Sequence, residues 1–93
     1  MFAKPETNPA AMRVLAQIPH PECQITLFAW NGKYIVKLER GMLEQTYKIS
    51  ELDVASEAEV RQIIEDQAFV QGVLRRFAEM EAALGETMNR LEL

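Results

Sequence analysis

The sequence predicts an α+β protein: a three-stranded antiparallel β-meander with a short N-terminal helix and one or two C-terminal helices packed on it, in the order αβββαα. Three observations carry that reading. Residues 24–49 are rich in β-branched and aromatic types and are punctuated by two glycine turns. From residue 56 onward apolar residues recur at helical spacing instead. The chain has 93 residues, which is room for one domain over 1–93 and too few for a Rossmann fold or a TIM barrel. Apolar residues make up 48% and charged residues 26%, which excludes a wholly disordered or low-complexity chain.

Taken in order, the first element is signalled by Asn8-Pro9, an N-cap residue followed by proline at the first helical position. Ala11, Met12, Leu15 and Ile18 follow at helical spacing until Pro19-His20-Pro21 ends the run. The spacing predicts an amphipathic helix near 9–17. Two turns are marginal in water, so that helix must be docked.

The strands come next. Ile25–Trp30 and Tyr34–Leu38 flank Asn31-Gly32, the strongest short hairpin signal, because a type I′ turn needs positive φ at both central residues. A two-residue turn there pairs Trp30 with Lys33, Ala29 with Tyr34, Phe28 with Ile35, Leu27 with Val36 and Ile25 with Leu38. A second hairpin through Gly41-Met42, if equally tight, pairs Val36 with Tyr47 and Tyr34 with Ile49. It also sets Glu39 against Glu44, a like-charge pair that leaves a bulge or a longer loop open as the alternative.

These registers sort side chains by face, since successive residues of a strand point to opposite sides. Ile25, Leu27, Ala29, Tyr34, Val36, Leu38, Tyr47 and Ile49 share a core face. The other face collects Thr26, Phe28, Trp30, Lys33, Ile35, Lys37, Glu39, Glu44, Thr46 and Lys48. Its three large apolar residues, Phe28, Trp30 and Ile35, call for a cover or a ligand.

In the C-terminal half, Ser56-Glu57-Ala58-Glu59 has the form of a capping box. Val60, Ile63 and Ile64 begin an apolar stripe, and Ile63, Val70, Phe77, Leu84 and Leu91 continue it at seven-residue intervals. One helix over 57–91 would be about 52 Å long, against about 30 Å for a small domain. A break is therefore favoured, with Asp66 capping a second helix from Gln67; a single projecting helix is the other reading. Gly72 and Gly85 fall inside the helical pattern, where each costs up to about 1 kcal/mol relative to Ala. Gly85 fits a kink, a close helix–helix approach or an earlier helix end.

The charge pattern narrows the function classes. Ten basic residues stand against fourteen acidic, for a net charge of −4, so the whole chain has no pull toward polyanions. The strand region 24–50 is mildly basic and the segment 51–93 distinctly acidic. Cys23 is the only cysteine, which removes any intrachain disulfide. The N-terminal residues lack the apolar stretch of a secretory signal, and no apolar run reaches the roughly 20 residues of a membrane span. A cytoplasmic protein with no membrane association is expected.

Few residues suggest catalysis. His20 and Cys23, three apart, could form an activated thiolate or contribute to a zinc site. Zinc needs about four ligands, and no second His or Cys exists to supply them. The acidic pairs Glu39/Glu44 and Glu57/Glu59/Glu65/Asp66 sit at strand-edge or helix-surface positions, where nothing separates their pKa values for acid–base work. No glycine loop opens a helix after a strand, and no G-x-S-x-G elbow is present. The expectation is a protein that is not an enzyme and holds no metal or cofactor.

Two surfaces remain as candidates. Phe28 and Trp30 with Lys33, Lys37 and Lys48 interleave rings and cations, as a single-stranded nucleic-acid platform or an anion site would. The acidic chain and the two glutamates on that face weigh against nucleic acid. Cover by the N-terminal helix or by a second subunit, with lysine stems around the rim, is the structural alternative. The second surface is the end of the helical stripe. Residues 67–91 extend about 36 Å as a helix, whereas six-residue strands extend roughly 20 Å. Leu84, Met88 and Leu91 therefore need cover from elsewhere. A homodimer is the simplest source and another protein the alternative. The expected function is a small interaction module, self-associating through its C-terminal helix.

Overall fold

The structure, a computed structural model, describes residues 12–93. Its elements are β1 (Arg13–Ile18), β2 (Gln24–Trp30), β3 (Lys33–Arg40), β4 (Leu43–Ser50), a 3₁₀ turn (Glu51–Asp53), α1 (Glu57–Glu65) and α2 (Gln67–Leu91). The four strands form one antiparallel sheet in the order β1-β2-β3-β4. The α+β class and the antiparallel meander are as expected, with one strand more and a different first element.

That first element corrects the expected N-terminal helix. Residues 13–18 are a strand, antiparallel to β2; the Asn8-Pro9 cap and residues 9–11 lie outside the described residues. The reason lies in a bulge. Between Val14 and Ala16 the register slips by one residue, so Ala16 pairs with Leu27 while Val14 pairs with Phe28. Leu15, Ala16 and Ile18 all pack against the core. The extra residue gives Leu15 and Ile18 the three-residue spacing of a helix within an extended strand. A two-turn helix is marginal, while the edge of β2 offers a row of backbone partners to any extended segment beside it.

Both tight turns form. Asn31 and Gly32 have φ of 53° and 76°, the type I′ signature, and every pairing expected for β2–β3 is present. At the second turn only Gly41 has positive φ (62°), the pattern of a type II′ turn with glycine first. Val36 pairs with Tyr47, Tyr34 with Ile49, and Glu39 does face Glu44. The tight turn is thus kept at the cost of that like-charge pair.

The core lies between the inner sheet face and the two helices. Ile25, Leu27, Val36 and Leu38 from the sheet meet Val60, Ile64, Val73 and Phe77 from the helices, all buried. Tyr47 packs edge-on against Phe69 with ring centroids 5.3 Å apart. Around them a polar clasp fixes α2 to β4: the Gln45 side-chain amide donates to the Val73 carbonyl (2.9 Å), Tyr47 Oη donates to Gln45 Oε1 (3.0 Å), and Arg76 donates to both Tyr47 Oη and Gln45 Oε1.

The helices begin differently. Asp66 separates them: its backbone is extended, and its carboxylate accepts from the Phe69 N–H at 2.8 Å, capping α2 as the sequence suggests. The capping box at Ser56 is made only by half. The Ser56 side chain makes no cap bond, and Glu59 reaches back one residue further, accepting from the Ala55 N–H at 2.8 Å. Ser56 contributes only its carbonyl, which accepts from the Glu59 N–H.

The break at Asp66 lets the chain turn back across the sheet, and its cap bond satisfies an otherwise free N–H. Asp66→Ala should lower unfolding free energy by about 1 kcal/mol, the usual value of an N-cap, without altering the fold. Urea denaturation followed by far-UV circular dichroism measures this, and an unchanged midpoint would show that the cap adds nothing.

Candidate functional site

The outer sheet face gathers all five residues expected there. Phe28 and Trp30 on β2, Lys33 and Lys37 on β3, and Lys48 on β4 share one side, because Trp30 pairs with Lys33, Phe28 with Ile35, and Ile35 with Lys48. The added strand enlarges the face with Val14 opposite Phe28 and Gln17 opposite Thr26. Residues 13–18, expected within a covering helix, instead extend the sheet as a strand.

The lysines, however, are directed at the rings. Lys33 Nζ lies 5.9 Å from the Trp30 ring centroid and Lys37 Nζ lies 5.7 Å from that of Phe28. Each is a cation–π contact between neighbouring strands, of about 0.5–1 kcal/mol at an exposed site. Ile35, at the centre, is only 4% exposed. Phe28 and Lys48 stand directly across from it, and Lys33 and Lys37 lie two residues away on its own strand. Trp30, Phe28, Lys33 and Lys37 are half-buried, and Lys48 is exposed. A base stacking on either ring would have to displace an ammonium group already there.

The second candidate is the end of α2. Phe77 is the last buried residue of the helix and Met80 the last half-buried apolar one. Beyond them Leu84, Met88 and Leu91 are 53%, 41% and 59% exposed. These three lie on the same stripe that buries Val73 and Phe77, continued to the helix end by the 3.6-residue period. The helix runs on through Gly85 to Leu91, so Gly85 is not a helix end. A Cβ added at Gly85 meets nothing within 4 Å, so no close approach in its own chain requires it.

The helix then stops at a defined point. Glu92 takes the left-handed conformation (φ 61°), its N–H donates to the Asn89 carbonyl, and the Leu93 N–H donates to the Met88 carbonyl at 2.9 Å. This is a Schellman motif, with Leu93 and Met88 at the positions of its usual apolar contact. Three turns of helix with a closed end therefore carry an apolar stripe that the described residues cover only in part. The radius of gyration, 16.1 Å, compares with about 12 Å for a compact chain of this length. The hairpin tip beside this helix end carries Met42, fully exposed. Sequence periodicity gives no reason to single out Met42, which becomes notable only through its position in space.

His20 and Cys23 are not brought into a reactive pair. His20 Nδ1 accepts from the Glu22 N–H at 3.0 Å, which commits that nitrogen to its own loop. Cys23 is buried in the core cluster. Burial pushes its thiol above the ordinary range, Glu22 adds to the rise, and Arg40 opposes it. A nucleophilic thiolate needs the reverse shift. Among the described residues no three His, Cys, Asp or Glu side chains are placed to hold a metal ion. No helix among them is long and apolar enough to cross a membrane.

No protein-family model matches the chain, and no curated protein or solved structure is significantly similar to it.

The raised thiol makes a checkable statement. At a given pH the folded chain holds less thiolate than the unfolded one, so iodoacetamide should alkylate native Cys23 several-fold more slowly than the urea-unfolded chain at pH 8. The same shift makes the folded state favour the protonated thiol. Its contribution to stability is therefore complete below the unfolded thiol's range and is lost as pH rises beyond it. Equal alkylation rates in the two states would refute the burial argument.

Proposed function

We propose that this chain is a non-enzymatic interaction module that self-associates as a homodimer through the C-terminal end of α2. The observation that carries the reading is the length of α2 relative to the sheet. Its 25 residues extend about 37 Å, while the eight residues of β4 extend about 27 Å, and in the last three turns Leu84, Met88 and Leu91 keep an apolar stripe that the β3–β4 hairpin covers only in part. A helix end in water has no physical need for Leu84, Met88 and Leu91 on one face, and a helix contacting another surface does. A second copy carries the same stripe and supplies matching cover, the usual arrangement in soluble homo-oligomers.

The outer sheet face is the competing location, for a single-stranded nucleic acid or a small anionic ligand. Its five residues do share one side. Two of its three lysines are engaged with its own rings, and its centre, Ile35, is buried. These features favour a closed structural face over an open platform.

Sedimentation equilibrium should give a dimer at micromolar concentration. Leu84→Asp should raise the dissociation constant about 30-fold or more, the effect of losing a central apolar anchor, with far-UV circular dichroism retained. A wild-type monomer at high micromolar concentration would end the proposal. Trp30, the sole tryptophan, reports on the competing location. Titration with a single-stranded oligonucleotide at low salt should leave its emission unchanged, and saturable quenching would move the function to the sheet face.

A further inference from the structure

The exposed end of α2 is one wall of a groove whose other wall is the β3–β4 hairpin tip. The groove has a volume of about 310 Å³; Met42 and Leu43 line it from the hairpin, and Leu84, Gly85 and Met88 line it from the helix. Each wall also carries one charge, Arg40 on the hairpin and Glu81 on the helix. The two make no ion pair among the described residues.

Three features of this groove are unexplained by the described residues. Met42 is fully exposed at the second position of a tight turn, a place that polar residues fill without loss. Gly85 sits in the interior of a helix where alanine would be the better helix former, and the space around it is open. Arg40 and Glu81 present opposite charges to one cleft without meeting. A single arrangement accounts for all three. A projecting side chain and a recess, a cation and an anion, all lie on one surface, as a two-fold contact requires, because each copy must offer what the other accepts.

We infer that the groove receives a second copy of this chain, with the hairpin tip of one protomer seated against the α2 end of the other. Met42 enters between Leu84, Gly85 and Met88 of the partner, and the partner's Met42 does the same in return. Gly85 leaves room for the incoming side chain to reach the helix backbone. Arg40 faces the partner's Glu81, so the charges that stand apart within one chain are paired across the two-fold. The inference rests on the self-association proposed above and goes further, by assigning the hairpin tip as the second half of the contact and fixing which charges pair.

The test measures dimer dissociation by sedimentation for the full chain, four single variants, the Arg40→Glu/Glu81→Arg double variant and Leu84→Asp, each checked for fold by circular dichroism. Met42→Asp and Gly85→Leu should each weaken the dimer about tenfold or more, the first by placing a charge in the groove and the second by filling it. Gly85→Leu should at the same time raise the melting temperature of the chain diluted to monomer, because leucine is the better helix former. Arg40→Glu and Glu81→Arg should each weaken self-association, and mixing the two variants should restore a heterodimer, since that pairing sets Glu against Arg at one contact and leaves the native pair at the other. Restoration only in the double variant, and not in the mixture, would place the ion pair within one chain and overturn the inference. A dimer sensitive to Leu84→Asp but indifferent to Met42→Asp, Gly85→Leu and the charge variants would also overturn it, while leaving the role of the helix end intact. A monomeric wild type would overturn both.

Discussion

The structure depends on register. Two two-residue turns, Asn31-Gly32 and Gly41-Met42, lock β2, β3 and β4 so that Ile25, Leu27, Val36 and Leu38 all face the same way. A slip of one residue in either hairpin would turn a strand's apolar set to the opposite side. With the register fixed, the inner face is a continuous apolar floor, and the helices have one place to bury Val60, Ile64, Val73 and Phe77. The glutamates at Glu39 and Glu44 show which demand prevails: the turn geometry and the buried face are kept, and a solvent-exposed like-charge pair is tolerated. Its repulsion is screened by water and salt, whereas a flipped strand would expose several core residues at about 1.5–3 kcal/mol each.

From that floor the position of everything else follows. Asp66 interrupts the helical run, so α2 starts at one end of the floor and crosses it under β4, where Gln45, Tyr47 and Arg76 hold it. The fully buried stripe ends at Phe77, and the helix continues past Met80 with only partial cover from the hairpin tip, closed by its Schellman turn. The overhang is thus a consequence of two fixed lengths, that of strands between tight turns and that of a helix between its caps. The hairpin tip and the helix end meet at the same end of the molecule for the same reason, and the groove between them is the residue of this geometry.

Much of this is legible in the amino-acid sequence, and the exceptions have physical causes. The hairpins are readable because Asn-Gly, and glycine at the first position of a type II′ turn, answer directly to backbone sterics. Asp66 is readable as a cap because a 35-residue helix does not fit a small domain. β1 is not readable, because its bulge at Leu15 gives an edge strand the spacing of a helix. The Ser56 capping box fails in detail because Glu59 finds a free N–H one residue earlier, at Ala55. On the outer face, periodicity correctly groups Phe28, Trp30, Lys33, Lys37 and Lys48, but it cannot say where a lysine stem will point. The Trp30 and Phe28 rings attract the Lys33 and Lys37 ammonium groups, a pairing that the one-dimensional pattern does not encode. Met42 is missed for the opposite reason, since its neighbours in space, Leu84 and Met88, lie more than forty residues away in the chain.

The same physics bears on why association would run through the helix end and not through the sheet. An antiparallel sheet with two free edges is a template for further strands unless those edges are blunted. Here β1 carries its bulge, which bends the strand and disrupts a flat ladder. The other edge, β4, places Glu44 and Lys48 along its exposed side, with the Thr46 hydroxyl donating to Glu44, while Arg76 from α2 crowds its inner flank through Gln45 and Tyr47. Edge-to-edge addition would have to accommodate these charges along the shared ladder. The end of α2 instead presents an apolar stripe, bordered by Glu81 on one wall and Arg40 on the other. In the proposed contact two copies joined there would satisfy both walls at once and leave no second unfilled site, so it would close at the dimer instead of propagating.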